Sequence, residues 1–325
     1  MKLTIEVENW ELKRPFRITG SVMYHSSMIV VTLRDGNAAG RGEAQGVSYL
    51  GEDPKSMQAQ IESVRASVER GIDRHELQQL LPAGGARNAL DCALWDLEAK
   101  QSARSIWELT EIEPVPVTTV FTIGIEASAA EMAAKASAAH DCPVLKIKLD
   151  GEQPLQRLQA IRGARPDARI VVDANQGWSL ELLREIAPAC AELRIEMIEQ
   201  PLPRGADAAL ATFDSPVPLA ADESCQDTTE LAEAVQRYDM INIKLDKTGG
   251  LTEALRLARA ARKAGCHLMV GNMLGTSLAM APSFVVAQLC DFVDIDGPLL
   301  MKADRAHGMQ FSHGLVQVFS RDLWG

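Results

Sequence analysis

The chain of 325 residues lacks most of the signatures that fix a function at a glance. Its six cysteines, Cys92, Cys142, Cys190, Cys225, Cys266 and Cys290, form no CxxC pair and have no histidine partners, which excludes a thiolate zinc site and predicts the reduced thiols of an intracellular protein. No apolar run approaches the length of a bilayer span and MKLTIEVENW holds no apolar signal core, so a cytoplasmic protein without a membrane partner is expected. Positive charge is also short. With 33 Lys and Arg against 44 Asp and Glu, the net charge of -11 argues against sequence-independent nucleic-acid binding. No Gly-rich phosphate turn follows an early strand, and Gly249-Gly250 lacks P-loop order and reads as a loop and helix start. The six histidines show no ligand spacing and no serine sits in a nucleophile elbow, so hydrolase chemistry has little support.

What is present is a repeat of strands and helices. VTTVFTIG, VLKIKL, RIVVDAN, EMIEQP, PLAADES, MINIKL, HLMVGNM and FVDIDGP are short, rich in Val, Ile, Leu or Met, and bounded by Gly, Pro or Asp, as buried parallel strands are. Amphipathic runs such as PLQRLQAIRGA and LTEALRLARAARKAG separate them. Eight such units predict a TIM-type α/β barrel over residues 114–300, with its chemistry at the carboxyl ends of the strands. Residues 1–113 read as a separate α+β domain, with Asp35-Gly36 as a hairpin turn, and residues 301–325 as a segment returning to it.

Five strand ends carry Lys148, Asp173, Glu199, Asp222 and Lys244, spaced 25, 26, 23 and 22 residues apart. Any one acid alone is better explained as a helix cap or surface pair. As a set at successive strand ends, Asp173, Glu199 and Asp222 offer three oxygen donors for a hard cation such as Mg2+, which would relieve their mutual repulsion. Lys148 and Lys244 then face each other across the mouth. A lysine becomes a general base when burial and neighbouring positive charge lower its pKa, and Lys146 supplies such a charge. Two lysines around a metal-held carboxylate suggest proton removal from one face of the α-carbon and return from the other, which is racemisation or epimerisation.

Over essentially its whole length the chain resembles the enolase superfamily, muconate-lactonising-enzyme subgroup, and within it the dipeptide epimerases of the L-Ala-D/L-Glu type. The motifs that carry the resemblance are LPAGGARNALDCALWDLEAK, LKIKLD, VVDANQGW, EQPLP, ADES, NIKLDKTGGLTEAL and DIDGP, in this order. The resemblance implies a (β/α)7β barrel capped by the amino-terminal domain, one Mg2+ on Asp173, Glu199 and Asp222, and acid/base roles for Lys148 and Lys244. It implies that Lys146 positions the substrate carboxylate, that Thr122 touches substrate, that Asp294 and Asp296 receive the free ammonium of a dipeptide, and that the protein is a homo-oligomer. It also implies loops around Arg14 to Ser27, which carries Tyr24 and His25, and Gly46 to Asp53 that close over the substrate, with Asn272 and Met273 of VGNMLGTS also at the site.

Two departures bear on specificity. Glutamate-selective members carry an arginine in the capping loop where this chain reads TGSVMYHSSM, and Asn272 replaces a small apolar residue or cysteine. A substrate side chain less acidic than glutamate is therefore expected. An N-acylamino-acid racemase, acting for example on N-acetylglutamate, or a syn-dehydrating relative such as o-succinylbenzoate synthase would use the same lysines and metal but leave Asp294 and Asp296 unexplained. A non-catalytic metal scaffold would need neither lysine.

Overall fold

Alternation of apolar and polar residues gives the first three strands. In the computed structural model, which describes residues 1–325, β1 (Lys2–Ile18), β2 (Ser21–Asp35) and β3 (Ala38–Ala44) form an antiparallel sheet in that order, with Gly36 in the left-handed region at the second turn. Helices α1 (Pro54–Arg70), α2 (Arg74–Leu80) and α3 (Gly85–Ser102) pack with it. The carboxylates of Asp53 and Asp73 accept from the first-turn N–H groups of α1 and α2, so each start is fixed locally. Helix α3 is buried on nearly every side because it lies between this sheet and the rest of the molecule. A short α4 (Ile106–Thr110) leads out of the domain.

After β4 (Val117–Thr118) helices and strands alternate as the sequence predicts, except that only a 3-10 turn at Ala208–Thr212 stands between the fourth and fifth barrel strands. The order is β5 (Phe121–Ile123), α5 (Ala129–Ala138), β6 (Val144–Lys148), α6 (Pro154–Ala164), β7 (Arg169–Asp173), α7 (Leu180–Glu192) and β8 (Ile195–Glu199). It continues with β9 (Leu219–Ala221), α8 (Leu231–Ala234), β10 (Met240–Lys244), α9 (Leu245–Thr248), α10 (Leu251–Lys263), β11 (His267–Gly271), α11 (Ser277–Ala287), β12 (Phe292–Val293) and α12 (Gly297–Leu300). Strands β5 to β12 pair in sequential order, all parallel, and Val120 N donates to Val293 O at 2.8 Å between the first and last. That bond closes the sheet. The eighth strand is followed only by the four-residue α12, so the barrel is of the (β/α)7β kind.

Inside the barrel, Val120, Val144, Val171, Met197, Ala220, Met240 and Met269 form an apolar plug. Side chains on a strand return to the same face every second residue. The residues two further along each strand therefore also point inward, one step nearer the mouth.

The carboxyl-terminal residues contact both parts. Strands β13 (Phe311–Ser312) and β14 (Leu315–Val316) pair with β4, whereas the buried Trp324 donates its indole N–H to the carbonyls of Arg41 and Cys92. Arg305 joins Glu8 and Glu43 of the first domain to Thr276 at the start of α11. All six cysteines are free thiols, and no helix is long and apolar enough to cross a membrane.

Gly42 of β3 lies against α3 so closely that a Cβ would meet Ala89 O at 2.1 Å and Ala93 N at 2.8 Å. Backbone cannot yield as a flexible side chain would. Gly42→Ala is expected to lower stability by about 1–3 kcal/mol, the usual cost of overpacking, read as a drop in thermal midpoint; an unchanged midpoint would show that sheet and helix are not in close packing.

Candidate active site

The alternation that builds the plug also builds the site. Two residues beyond the plug stand Thr122, Lys146, Asp173, Glu199, Asp222, Asn242 and Gly271 on seven successive strands, with Asp294 just past the eighth. One irregularity is required: between β7 and β8 the register skips Glu196, so that Met197 pairs with Val171 and Glu199 with Asp173. Without that bulge Glu199 would fall out of step with its neighbours. Lys148 and Lys244, each two residues further still than Lys146 and Asn242, end the second and sixth of eight strands. They therefore approach the mouth from opposite sides.

Lys146 Nζ lies 2.7 Å from Glu199 Oε2, 2.7 Å from Asp294 Oδ2 and 3.1 Å from Asp173 Oδ2. Lys148 donates to Asp173 Oδ2 and Lys244 to Asp222 Oδ2, both at 2.6 Å. With Lys247, Glu223 and Asp296 these residues make four ammonium groups and six carboxylates, all buried, a formal surplus of two negative charges. Burial pushes the Glu199, Glu223 and Asp296 carboxyls up to about 7, 8 and 7, with neighbouring carboxylates adding to the effect. At Asp173 and Asp222 burial pulls the same way, but the adjacent lysines override it and hold both groups well below the usual carboxylate range. At Lys244 burial and Lys146 act to lower the pKa, yet Asp222 and Glu199 hold its ammonium above the ordinary value.

The donor set has the oxygen chemistry of a hard divalent cation, although as placed its carboxylates are turned to the lysines and do not converge as a cluster of three ligands. Glu199 Oε2 and Asp222 Oδ1 are buried and engaged only by off-axis ionic contacts, without a hydrogen-bond donor. Two unsatisfied anionic oxygens beside a surplus of two charges suit a doubly charged oxygen-seeking ion. Glu199 Oε1 is held from below by Asn242 Nδ2 at 2.7 Å, and Gln200 Oε1 accepts from Asp222 N at 3.0 Å.

The cavity over this array is lined by Thr122, Lys148, Asn175, Asp222, Glu223, Lys244, Asn272, Met273, Asp294 and Asp296 from the barrel, and by Phe16, Ile18, Met23, Ser48 and Tyr49 from the first domain. Thr19 Oγ1 donates to Ala174 O and Ser26 Oγ to Leu274 O, which fixes the β1–β2 hairpin across the mouth. Tyr49 OH accepts from Gln226 Nε2 at 3.0 Å and secures the second loop. Tyr24 and His25 do not reach the cavity. Tyr24 is 65% exposed, His25 is also exposed, and both line an outer cleft with Arg14 and Lys302.

Of the remaining expected residues, Asn272 donates to Asp294 O at 2.6 Å and Asp296 Oδ2 accepts from Thr122 N at 2.7 Å. Sequence reasoning gave no role to Lys247, Glu223 or Gly271. Lys247, three residues after Lys244, donates to the carbonyls of Cys225 and Asn242 and lies 2.9 Å from Asp222 Oδ1. Gly271 pairs with Lys244, and a Cβ there would meet Lys244 Cε at 2.9 Å. The available signal was a lysine and a glutamate beside assigned residues within apolar stretches.

An acid whose pKa rises on folding binds more protons folded than unfolded, so its contribution to stability falls as pH climbs from the ordinary carboxylate value to the raised one. Glu199, Glu223 and Asp296 place that window between about pH 3.8 and 8. In the presence of a chelator the thermal midpoint is expected to fall across this range. A flat profile would contradict the buried, surplus-negative array.

The comparisons with known proteins agree with this geometry. The mandelate racemase / muconate lactonizing enzyme N-terminal domain profile matches residues 1–110, and the enolase C-terminal domain-like profile matches residues 128–319. The L-Ala-D/L-Glu epimerase of Escherichia coli is 44% identical, covering 94% of this chain and 96% of its own. The N-acetyl-D-glutamate racemase of a Pseudoalteromonas species is 41% identical, covering 92% and 95%. An enolase family member from Agrobacterium tumefaciens with homology to dipeptide epimerases, solved with sodium and L-Ala-L-Glu, superposes with a TM-score of 0.97 at 44% identity over 99% of both chains. A dipeptide epimerase from Enterococcus faecalis, solved with Mg and L-Leu-L-Tyr, gives a TM-score of 0.91 at 25% identity over 97% and 96%. The chain belongs to the mandelate racemase / muconate lactonizing enzyme family of the enolase superfamily.

Proposed function

We propose that this protein is a dipeptide epimerase that inverts the α-carbon of the carboxyl-terminal residue by a two-lysine proton transfer. The observation that carries the reading is the pair Lys148 and Lys244, buried on opposed strands of one barrel around three inward carboxylates. Lys148 takes the α-proton from one face while Lys244 delivers one to the other, so one C–H bond breaks, one forms and the configuration inverts. The same groups in exchanged roles run the reverse reaction.

Asp173, Glu199 and Asp222 would hold Mg2+, which supplies positive charge to the substrate carboxylate when bound. Lys146, fixed by Asp294 and Glu199, adds a second positive charge beside that carboxylate. Asp294 and Asp296 receive the amino terminus of the dipeptide. Phe16, Ile18 and Met23 of the hairpin exclude water from above.

Glutamate is the first side chain to test. The missing hairpin arginine points to a less acidic group, but glutamate stands in the names of the relatives at 41% and 44% identity. A second reading, racemisation of N-acetylglutamate, is favoured by one feature: Asp294 is satisfied by Lys146 and Asn272, and Asp296 by Thr122 N–H, without any ammonium ligand.

Lys148→Ala and Lys244→Ala are each expected to reduce epimerisation of L-Ala-L-Glu by about 10²–10⁴-fold, measured by polarimetry with Mg2+ present; wild-type rates in either variant would sink the two-lysine mechanism. Asp296→Asn separates the readings. It is expected to impair dipeptide turnover and spare N-acetylglutamate, and equal loss on both substrates would remove the ammonium-binding role.

A further inference from the structure

The second capping loop is one closed turn on a single root. The Glu52 carboxylate accepts from Val47 N at 2.8 Å and from Gly85 N, at the start of α3, at 2.9 Å. Leu50 N and Glu52 N both donate back to Val47 O. Residues 47–52 are therefore held to one another, and they carry Ser48 and Tyr49 to the cavity. Gly46 is the root. Its φ of +84° favours glycine, and a Cβ there would meet Met57 Sδ at 2.7 Å.

The Gly46 N–H takes no part in that turn. It donates to Asp246 Oδ1 at 2.8 Å, across the boundary between the first domain and the barrel. Asp246 is buried and stands two residues beyond Lys244, in α9, which begins where β10 ends. The far end of α9 is also held by the first domain, because Arg87 of α3 donates to Thr248 O at 2.7 Å and to Gly249 O at 3.2 Å. The chain leaving Lys244 is thus fixed at two points, each by a buried hydrogen bond with one charged partner, the stronger kind.

Lys148 has no such tie. The chain leaving it passes through Leu149, whose N–H donates to Asp173 O of the next strand and whose carbonyl accepts from Thr19 Oγ1 at 3.4 Å. Its frame is the barrel sheet. Asp246 does not line the cavity, so any effect it has on the reaction passes through Lys244 and the loop. We propose that Asp246 is a positioning residue that locks the root of the second capping loop to the chain leaving Lys244, so that seating Ser48 and Tyr49 over the substrate and aligning the Lys244 ammonium are one event. This inference rests on the two-lysine function proposed above, and it adds an asymmetry between the two faces of the α-carbon.

The test incubates L-Ala-L-Glu and L-Ala-D-Glu separately in D2O with Mg2+ and reads the initial rate of α-deuterium uptake by NMR. Wild type, Lys244→Ala, Asp246→Ala and Asp246→Asn are compared. Lys244→Ala identifies the epimer whose α-proton faces Lys244, because that epimer loses exchange. Asp246→Ala is expected to slow the same epimer by about 10²-fold, the cost of a small misplacement of a reacting group, and to leave the other near its wild-type rate. Asp246→Asn keeps an oxygen to accept from Gly46 N and is expected to restore most of the loss. Equal slowing of both epimers, wild-type rates for both, or no recovery in Asp246→Asn overturns the positioning role. If circular dichroism shows Asp246→Ala unfolded, Asp246→Ser, too short to hold Gly46 N, takes its place; unfolding of both makes Asp246 a folding residue and overturns the role as well. No exchange of either dipeptide in wild type overturns the epimerase reading, and the same variants on the two enantiomers of N-acetylglutamate then decide the role of Asp246. Absence of exchange there too overturns both.

Discussion

The structure depends on keeping a buried set of opposite charges in balance. Four lysines and six carboxylates occupy one barrel mouth with almost no exposure, and each ammonium lies within hydrogen-bond distance of at least one carboxylate. An isolated charge in such a place is costly, and removing one partner leaves the other stranded. The remaining surplus of negative charge is met by proton uptake at Glu199, Glu223 and Asp296, or by a cation at the unsatisfied oxygens of Glu199 and Asp222. The same balance serves catalysis, because a lysine held by carboxylates is released toward basicity when those carboxylates are engaged elsewhere.

Maintaining the balance constrains the frame. The alternating parity of eight strands brings the array above one apolar plug, and the bulge at Glu196 keeps Glu199 in phase with Asp173. Gly271 leaves room for the Lys244 stem, and Lys247 donates to the backbone carbonyls of Cys225 and Asn242 behind Asp222. The first domain closes the open side through the hydroxyls of Thr19 and Ser26, which donate to barrel-loop carbonyls, so the water-excluding residues of the hairpin are fixed to the loops that carry the chemistry.

Much of this was legible in the sequence because short apolar stretches and helical runs alternate without interruption, and because a Lys, Asp or Glu inside an apolar stretch has few reasons to be there. An eight-unit barrel and the placement of Lys146, Lys148, Asp173, Glu199, Asp222 and Lys244 at one mouth follow from that pattern, whereas the (β/α)7β form was implied only by the family resemblance. Tyr24 and His25 did not follow, because a position in the capping hairpin does not say which of its side chains the cavity receives: Phe16, Ile18 and Met23 line it, and Tyr24 and His25 line an outer cleft. The carboxylates that hold Lys244 protonated were not weighed either. Neighbouring positive charge was visible from spacing along one strand, whereas Asp222 and Glu199 reach it only through the closed barrel.

The central claim is that one substrate α-carbon sits between two lysines of opposite facial access. The most direct measurement is incubation of wild-type protein with L-Ala-L-Glu and, separately, N-acetyl-L-glutamate in D2O with Mg2+, followed by NMR of label and configuration. The account predicts one deuterium at the glutamyl α-carbon of the dipeptide, accumulating with the inverted configuration. Absence of α-deuterium in the dipeptide, with or without labelling of N-acetylglutamate, would contradict it.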